Sequence, residues 1–465
     1  MGIAMHGSDT LKQLARTATD TLKRGLNQHV RLAVTGLSQA GKTAFITSLT
    51  DQLLHGSPRH LPFFPVQAEG RFLGAREVPQ PHPLLPRFRY RENLASLKAE
   101  PPQWGPSTAG ISELRLHLKY KPDSGLRGFF GEPVTLVLDI VDYPGEWLLD
   151  LALLETDYAS WSAQQRQLLS QAPRAALAGN WCVDAELFCQ QGALDAVQTE
   201  QLAERYAGLL SDFRQQLGLY YLQPGRFLLP GELKGAPVLA FFPWLTEGGE
   251  DTALFKHLEK VFEQYKSEVV KRFYKNHFAN IDRQVVLVDT LAALNHSRAA
   301  FLDLQLALTD ILKSFQYGKS SLLSRLFSPQ VDKVLFAATQ ADRLTPDQRP
   351  ALSSLLSELI SPALEPMRYA GIDVGVETLA AVCTTQAGSG QLDGENLPCL
   401  KGRLDDGRQV TLFPGDVPSS LPPSTFWQQQ GFAFPAFAPP LGLNSPLPHL
   451  RMDKTLAFVL GDKLK

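Results

Sequence analysis

Residues 29–54 read HVRLAVTGLSQAGKTAFITSLTDQLL. The first part, HVRLAVTG, is short, apolar and rich in β-branched residues, as a buried strand is. The last part, TAFITSLTDQLL, has the apolar spacing of a helix. Between them Gly36-Leu37-Ser38-Gln39-Ala40-Gly41-Lys42-Thr43 has the spacing G-x-x-x-x-G-K-T. Strand, glycine loop and helix in that order form a phosphate-binding loop. Its glycines allow a backbone that aims several N–H groups at one cluster of phosphate oxygens, and the helix adds its positive end. Gly36, Ser38, Gln39, Ala40, Gly41, Lys42, Thr43 and Ala44 are the candidate cradle. Lys42 reaches the β- and γ-phosphates, and the Thr43 hydroxyl is placed to ligate Mg²⁺.

Working outward, the next acidic strand is PVTLVLDIVDYPGEW, which ends at Asp142-Tyr143-Pro144-Gly145. A carboxylate at a strand tip beside a phosphate loop suits a hydrated Mg²⁺, and Gly145 suits a backbone N–H close to a γ-phosphate. Asp139 competes for the metal role, but strand alternation puts it on the opposite face and deeper, so Asp142 is preferred. The strand VLFAATQAD ends in Thr339-Gln340-Ala341-Asp342, followed by Arg343. A carboxylate there can accept two hydrogen bonds from guanine, which adenine does not offer, and a mismatched base leaves it unpaired. Cys383-Thr384-Thr385 closes the run VETLAAVCTTQAG, read as the last strand of the series, where a backbone N–H can meet the guanine O6.

The rest of the chain frames these strands. LKQLARTATDTLKRGLN, over 11–27, reads as a helix with Leu11, Leu14, Ala18, Leu22 and Leu26 near one stripe, packed on the body. Residues 53–110 are rich in Pro, Arg and aromatics and read as irregular with one or two short helices. ISELRLHLKY alternates as a half-buried strand. The organisation expected is a first part of the nucleotide domain over 1–147, a mainly helical insertion over 148–280, the second part over 281–388, and a Pro/Gly-rich extension packed on the body over 389–465.

The chain has 465 residues, with 45 Lys plus Arg against 47 Asp plus Glu and a formal net charge of −2. This balance gives no general pull toward nucleic acid. The four cysteines show no C-x-x-C spacing and no zinc pattern, in keeping with thiols in a reducing compartment. Neither a signal peptide nor a membrane span is legible, so the expected place is the cytoplasm, with the inner membrane reached only through a partner.

The set of motifs resembles the Ras-like GTPases. Cys383-Thr384-Thr385 looks like the C-A-T segment of heterotrimeric G-protein α subunits. GLSQAGKT, DYPGEWLLDL, TQAD and the Pro-rich tail are similar to the bacterial YcjX-like family over nearly the whole chain. The fold so implied is α/β: a Ras-like P-loop NTPase domain with a mixed, mostly parallel sheet, a large helical insertion and an extended Pro-rich C-terminal tail. By the same resemblance the ligands are GTP or GDP with Mg²⁺. Asp142 and Gly145 form the second switch, and Thr339, Asp342 and Thr384 hold the base. Thr108, with Ser107 beside it, is the first-switch residue and a further metal ligand.

The chain departs from the Ras-like pattern twice. Gln340 stands where a Lys usually packs along the base. Glu146 stands where many relatives have the Gln that positions the attacking water, so slow hydrolysis is expected unless a partner or an arginine in cis contributes. Arg71, Arg76, Arg87, Arg89 and Arg91 lie in a segment that can supply one. The family resemblance also implies a stress response of the phage-shock type, and a protein effector or inner-membrane partner. An ATP-using enzyme such as a kinase, and a nucleotide-stabilised scaffold with negligible turnover, are the competing readings.

Overall fold

The protein is described from a computed structural model, which covers residues 28–37, 39–106, 110–123, 132–314, 331–392, 395–429 and 431–465. The helix expected over 11–27 lies outside the described residues, as do Ser38, Ser107 and Thr108.

β1 (His29–Gly36) runs into the glycine loop, and α1 (Lys42–His55) leaves it. The Pro- and Arg-rich segment that follows, expected to hold one or two short helices, contains Pro65–Ala68 and α2 (Tyr90–Lys98). It also contains β2 (Phe72–Val78), which was not expected. β2 is a half-buried edge strand, and its register on β3 (Ser112–Tyr120) shifts between Phe72 and Gly74. Such a strand lacks the clean alternation of a one-face strand, so its pairing is specified by its neighbour.

β4 (Val134–Asp142) pairs antiparallel with β3 and parallel with β1. The chain then enters a long helical stretch. α3 (Tyr158–Ser170) is N-capped by Asp157, α5 (Ala196–Leu217) by Asp195 and α6 (Ala253–Gln264) by Thr252, each side chain accepting from a first-turn amide. α4 (Ala175–Gln191) lies between α3 and α5. α6 continues through two π-helical runs, Tyr265–Val270 and Tyr274–Phe278. Alternation of strand and helix then resumes with β5 (Arg283–Val288), α7 (Thr290–His296), α8 (Arg298–Ser314), β6 (Lys333–Ala338), α9 (Arg349–Tyr369) and β7 (Asp373–Thr378).

The main sheet has the order β2-β3-β4-β1-β5-β6-β7, with only β3 running against the rest. This is the mixed, mostly parallel sheet of the Ras-like class. Strand alternation feeds two cores. Val30, Leu32 and Val34 of β1, with Val285, Leu287 and Leu335, pack against Phe45, Ile46 and Leu49 of α1. Ala33, Val286, Val288 and Phe336 face the other way, into one aromatic-rich cluster that runs without a break into the helical stretch. There Trp161 stacks on Phe262, with Phe241 edge-on to Phe262 and Tyr158 tilted beside Trp161.

β7 ends at Thr378, and the strand expected through Thr385 is interrupted. Ala380 instead exchanges backbone hydrogen bonds with Leu450, and the Cys383 amide donates to the Pro448 carbonyl. The tail thus takes up backbone groups that a continued strand would have paired. β8 (Thr385–Leu392), β9 (Glu395–Arg403) and β10 (Gln409–Leu412) form a small antiparallel sheet. The described residues between 413 and 450 form little regular structure beyond a short helix, Ser424–Gln429, and α10 (Met452–Leu460) joins the α1 side of the main sheet through Met452, Leu456, Val459 and Leu460.

The tail is tied to the phosphate-loop helix by one buried carboxylate. Asp51 accepts from the Leu447 amide (2.7 Å), the Ser445 hydroxyl (2.6 Å) and the Tyr90 hydroxyl (3.0 Å). Beside it Gln52 donates to the Leu447 carbonyl at 2.6 Å. Asp51→Ala removes three partners from a dry site and is expected to cost about 2–4 kcal/mol in urea unfolding. A loss below about 0.5 kcal/mol would show that the tail is held elsewhere.

Candidate nucleotide site

The loops that carry the motifs leave the carboxyl ends of β1, β4, β5 and β6, the edge where open α/β sheets hold ligands. Gln39 and Gly41 both take positive φ, 65° and 82°. A Cβ on Gly41 would meet nothing within 4 Å, so conformation alone demands glycine there. Gly36 is different, since a Cβ would come within 2.7 Å of the Leu287 carbonyl oxygen. Lys42 Nζ donates to the Gly36 carbonyl at 3.0 Å, which lays the ammonium back across the loop. Thr43 and Ala44 follow in the first turn of α1.

At the metal end, the Thr43 hydroxyl donates to the Pro106 carbonyl at 3.2 Å. The chain directly before Ser107 and Thr108 therefore runs past Thr43. Asp142 is 1% exposed, and in the sheet it lies level with Val34 of β1 and Ser112 of β3. Asp139 is committed elsewhere, with Arg115 bonding both of its oxygens (2.5 and 2.7 Å) and His29 adding a third bond at 2.8 Å. Burial raises its pKa, but these bonds prevail and hold the carboxyl down to about 2. Among the described residues no group of three or more His, Cys, Asp or Glu could hold a metal. One hydroxyl and one carboxylate beside a phosphate cradle nevertheless suit Mg²⁺, which draws most of its oxygens from water and phosphate.

Gly145 touches the loop directly. A Cβ on it would stand 2.7–2.8 Å from the Gly36 carbonyl and 3.0 Å from Leu37 N. Glu146 opens a helical turn, Glu146–Leu149, that is buried in the helical stretch. Trp147 donates to the Leu229 carbonyl at 3.0 Å and lies under the Arg226 guanidinium, 3.3 Å from ring centroid to carbon. Arg214 of α5 approaches Glu146 at 3.9 Å. Asp150 accepts from the amides of Gly225 (2.7 Å) and Arg226 (3.2 Å) and from the Tyr265 hydroxyl (2.6 Å).

At the base end, Asp342 is 5% exposed, and one of its oxygens, Oδ2, accepts from both the Thr384 amide and the Thr384 hydroxyl at 2.6 Å. The Thr385 hydroxyl donates to the Asp342 carbonyl. Gln340 has φ 60° and donates to Asp289 at 2.6 Å, while Thr339 donates its amide to the Val288 carbonyl at 3.0 Å. Arg343 ends the same 3₁₀ turn, Ala341–Arg343. The Cys383 thiol is pushed up to about 12 by burial, with the nearby Asp342 charge adding to it.

The structure brings the loop, Asp142, Gly145 and Glu146 to one place, and Thr339, Gln340, Asp342, Arg343 and Thr384 to another on the same sheet edge. In the amide pair Cys383-Thr384, one N–H goes to Pro448 and the other to Asp342, so neither points outward as expected for O6. Of the candidate arginines, Arg71 is bonded to Glu69, and Arg87 and Arg91 to Glu77. Sequence reading missed Asp289 and Arg214. An acidic residue at the carboxyl end of β5 was a usable signal for Asp289, whereas nothing local marked Arg214.

Strand order, glycine loop and flanking acidic segments define a Ras-like P-loop domain. Residues 30–464 match the YcjX-like family, DUF463, and the chain belongs to it. It is 44% identical over 468 residues to the Ras-like GTPase YcjX of Escherichia coli (strain K12), across 98% of this chain and 100% of that protein. To the Ras-like GTPase YcjX of Shewanella oneidensis it is 40% identical over 479 residues, across 98% and 99%. Among the described residues no helix is long and apolar enough to cross a membrane.

The segment after Gly145 carries a proton-linked contact. Burial lifts the Asp150 carboxyl from 3.8 to about 6, against the pull of Tyr265 and the two amides. A carboxyl raised on folding contributes its stability at low pH and loses it as pH rises through about 6. Asp150→Asn removes that dependence. Between pH 5 and 7 the wild type should lose about 1 kcal/mol of unfolding free energy relative to the variant. Parallel stability curves in urea would contradict this.

Proposed function

We propose that this protein binds GTP and GDP at the glycine loop, hydrolyses GTP slowly, and uses the difference between the two states as a switch. The observation that carries the guanine reading is the buried Asp342 carboxylate facing Thr384. Guanine N1–H and N2–H would take over the carboxylate, and the released Thr384 amide would meet O6. Adenine offers neither donor in that geometry and would leave a buried carboxylate short of partners. The relatives' name, Ras-like GTPase, agrees with this reading.

Lys42 would balance the β- and γ-phosphates, and Gly145 would bring its amide to the γ-phosphate. Thr43, and Asp142 through water, would hold Mg²⁺, whose charge offsets that on the phosphate oxygens. Thr108 would join them in the triphosphate state, since the segment ending at Pro106 already lies on Thr43. Glu146 can accept a hydrogen bond from the attacking water but cannot donate one to the phosphate, which makes turnover slow. The helical stretch, tied to Trp147 and Asp150, would report the state to a protein effector.

The test is competition among GTP, ATP and xanthosine triphosphate for the wild type and Asp342→Asn, followed by single-turnover hydrolysis. The wild type should favour GTP over ATP by at least tenfold, and the variant should lose that preference and gain xanthosine triphosphate. Hydrolysis should be slow, on the order of 10⁻⁴–10⁻² s⁻¹ without an activator. Equal affinity of the wild type for ATP and GTP would remove the guanine reading. Guanine selectivity without turnover would leave a scaffold.

A further inference from the structure

Glu146 is 1% exposed and directly follows Gly145, which rests on the backbone of Gly36 and Leu37. A carboxylate so placed has an electrostatic cost that depends on the nucleotide. A diphosphate ends at the β-phosphate. A triphosphate brings further negative charge to the side of the loop on which Gly145 lies. A nearby buried carboxylate repels that charge unless a cation accompanies it.

The cation comes from the last turn of α5. Arg214 Nη2 lies 3.9 Å from Glu146 Oε1, and the side chain is only 17% exposed. Its guanidinium is held from two other sides. Nη1 donates to the Leu219 carbonyl at 3.3 Å, and the Tyr220 ring lies 4.6 Å from the guanidinium carbon. Tyr220 is itself fixed, because its amide donates to Asp303 at 2.7 Å and Asp303 pairs with Arg174 at 2.6 Å. The same insertion also presses on the Glu146 backbone, for a Cβ on Gly225 would overlap the Glu146 carbonyl. A pre-held guanidinium aimed at one buried carboxylate is a costly arrangement to keep as a surface ion pair, and it fits a site where that carboxylate must be neutralised.

We infer that Arg214 is a positioning residue of the nucleotide site: by neutralising Glu146 it lets the loop accept a triphosphate, so the helical insertion is an electrostatic part of that site. The inference rests on the guanine-nucleotide reading above. It predicts discrimination, because loss of Arg214 leaves the diphosphate nearly untouched and penalises the triphosphate.

The experiment measures the affinities of GDP and of the β,γ-imido analogue of GTP, both with Mg²⁺, by displacement of a fluorescent GDP. The proteins are wild type, Arg214→Ala, Arg214→Gln, Arg214→Lys, Glu146→Gln and Arg214→Ala/Glu146→Gln. Arg214→Ala and Arg214→Gln should weaken the analogue at least tenfold relative to GDP, Arg214→Lys should keep most of the wild-type ratio, and Glu146→Gln should not weaken the analogue. The double variant should return to within about threefold of wild type, since no carboxylate then needs a counter-ion. Arg214→Gln carries the comparison if Arg214→Ala does not fold. Equal weakening of both nucleotides would show a structural role and overturn the inference, as would an unchanged ratio or a double variant that is not rescued. A wild type that binds neither guanine nucleotide would instead remove the reading on which the inference stands.

Discussion

No side chain fits between Gly145 and the backbone of Gly36 and Leu37. That close approach is the constraint on which the rest of the site depends. The parallel register of β1 and β4 brings the two segments level, with Val34 opposite Asp142. Directly beyond Gly145 the chain turns into the helical stretch. Glu146, Trp147 and Asp150 are in consequence all buried, and each is met by a residue from that stretch. A displacement of Gly145 by a phosphate would therefore be felt at Arg214, Arg226 and Tyr265. Packed interfaces of this kind shift between discrete arrangements and deform little between them.

The tail contributes on the other side of the sheet. α10 completes the core that holds α1 against β1, and Asp51 couples α1 to the strap around Leu447. Residues 380 and 383 pair with that strap, and they lie just ahead of Thr384. The base-end loop is thus positioned by sequence far away in the chain, and the phosphate loop is steadied by the same strap. Aromatic residues in the tail serve the packing: Trp427 donates to the Leu294 carbonyl at 2.9 Å, and Phe434 exchanges hydrogen bonds with Asn295.

What was legible in the sequence was what is local. The glycine loop announces itself through spacing and through the strand and helix on either side. Asp142 and Asp342 are marked by standing at the ends of apolar runs, and the helices between Tyr158 and Gln264 by their apolar periodicity. β2 was not legible, because an irregular edge strand is specified by its partner. The break after Thr378 was not legible either, since the amides there are paired by Pro448 and Leu450. Arg214 meets Glu146 only through tertiary packing. Asp289 was within reach of sequence reading as an acid at a strand end, but its bond to Gln340 was not.

The proposed switch requires that nucleotide state at the glycine loop be transmitted through Gly145 into the helical insertion. Hydrogen exchange compared between GDP and the β,γ-imido analogue of GTP tests it directly. The switch should add protection in the triphosphate state over residues 104–110 and 142–150, with a matching change over residues 214–229, which hold Glu146, Trp147 and Asp150. Identical exchange in both states across all three segments would contradict it and leave a nucleotide-binding protein without a switch.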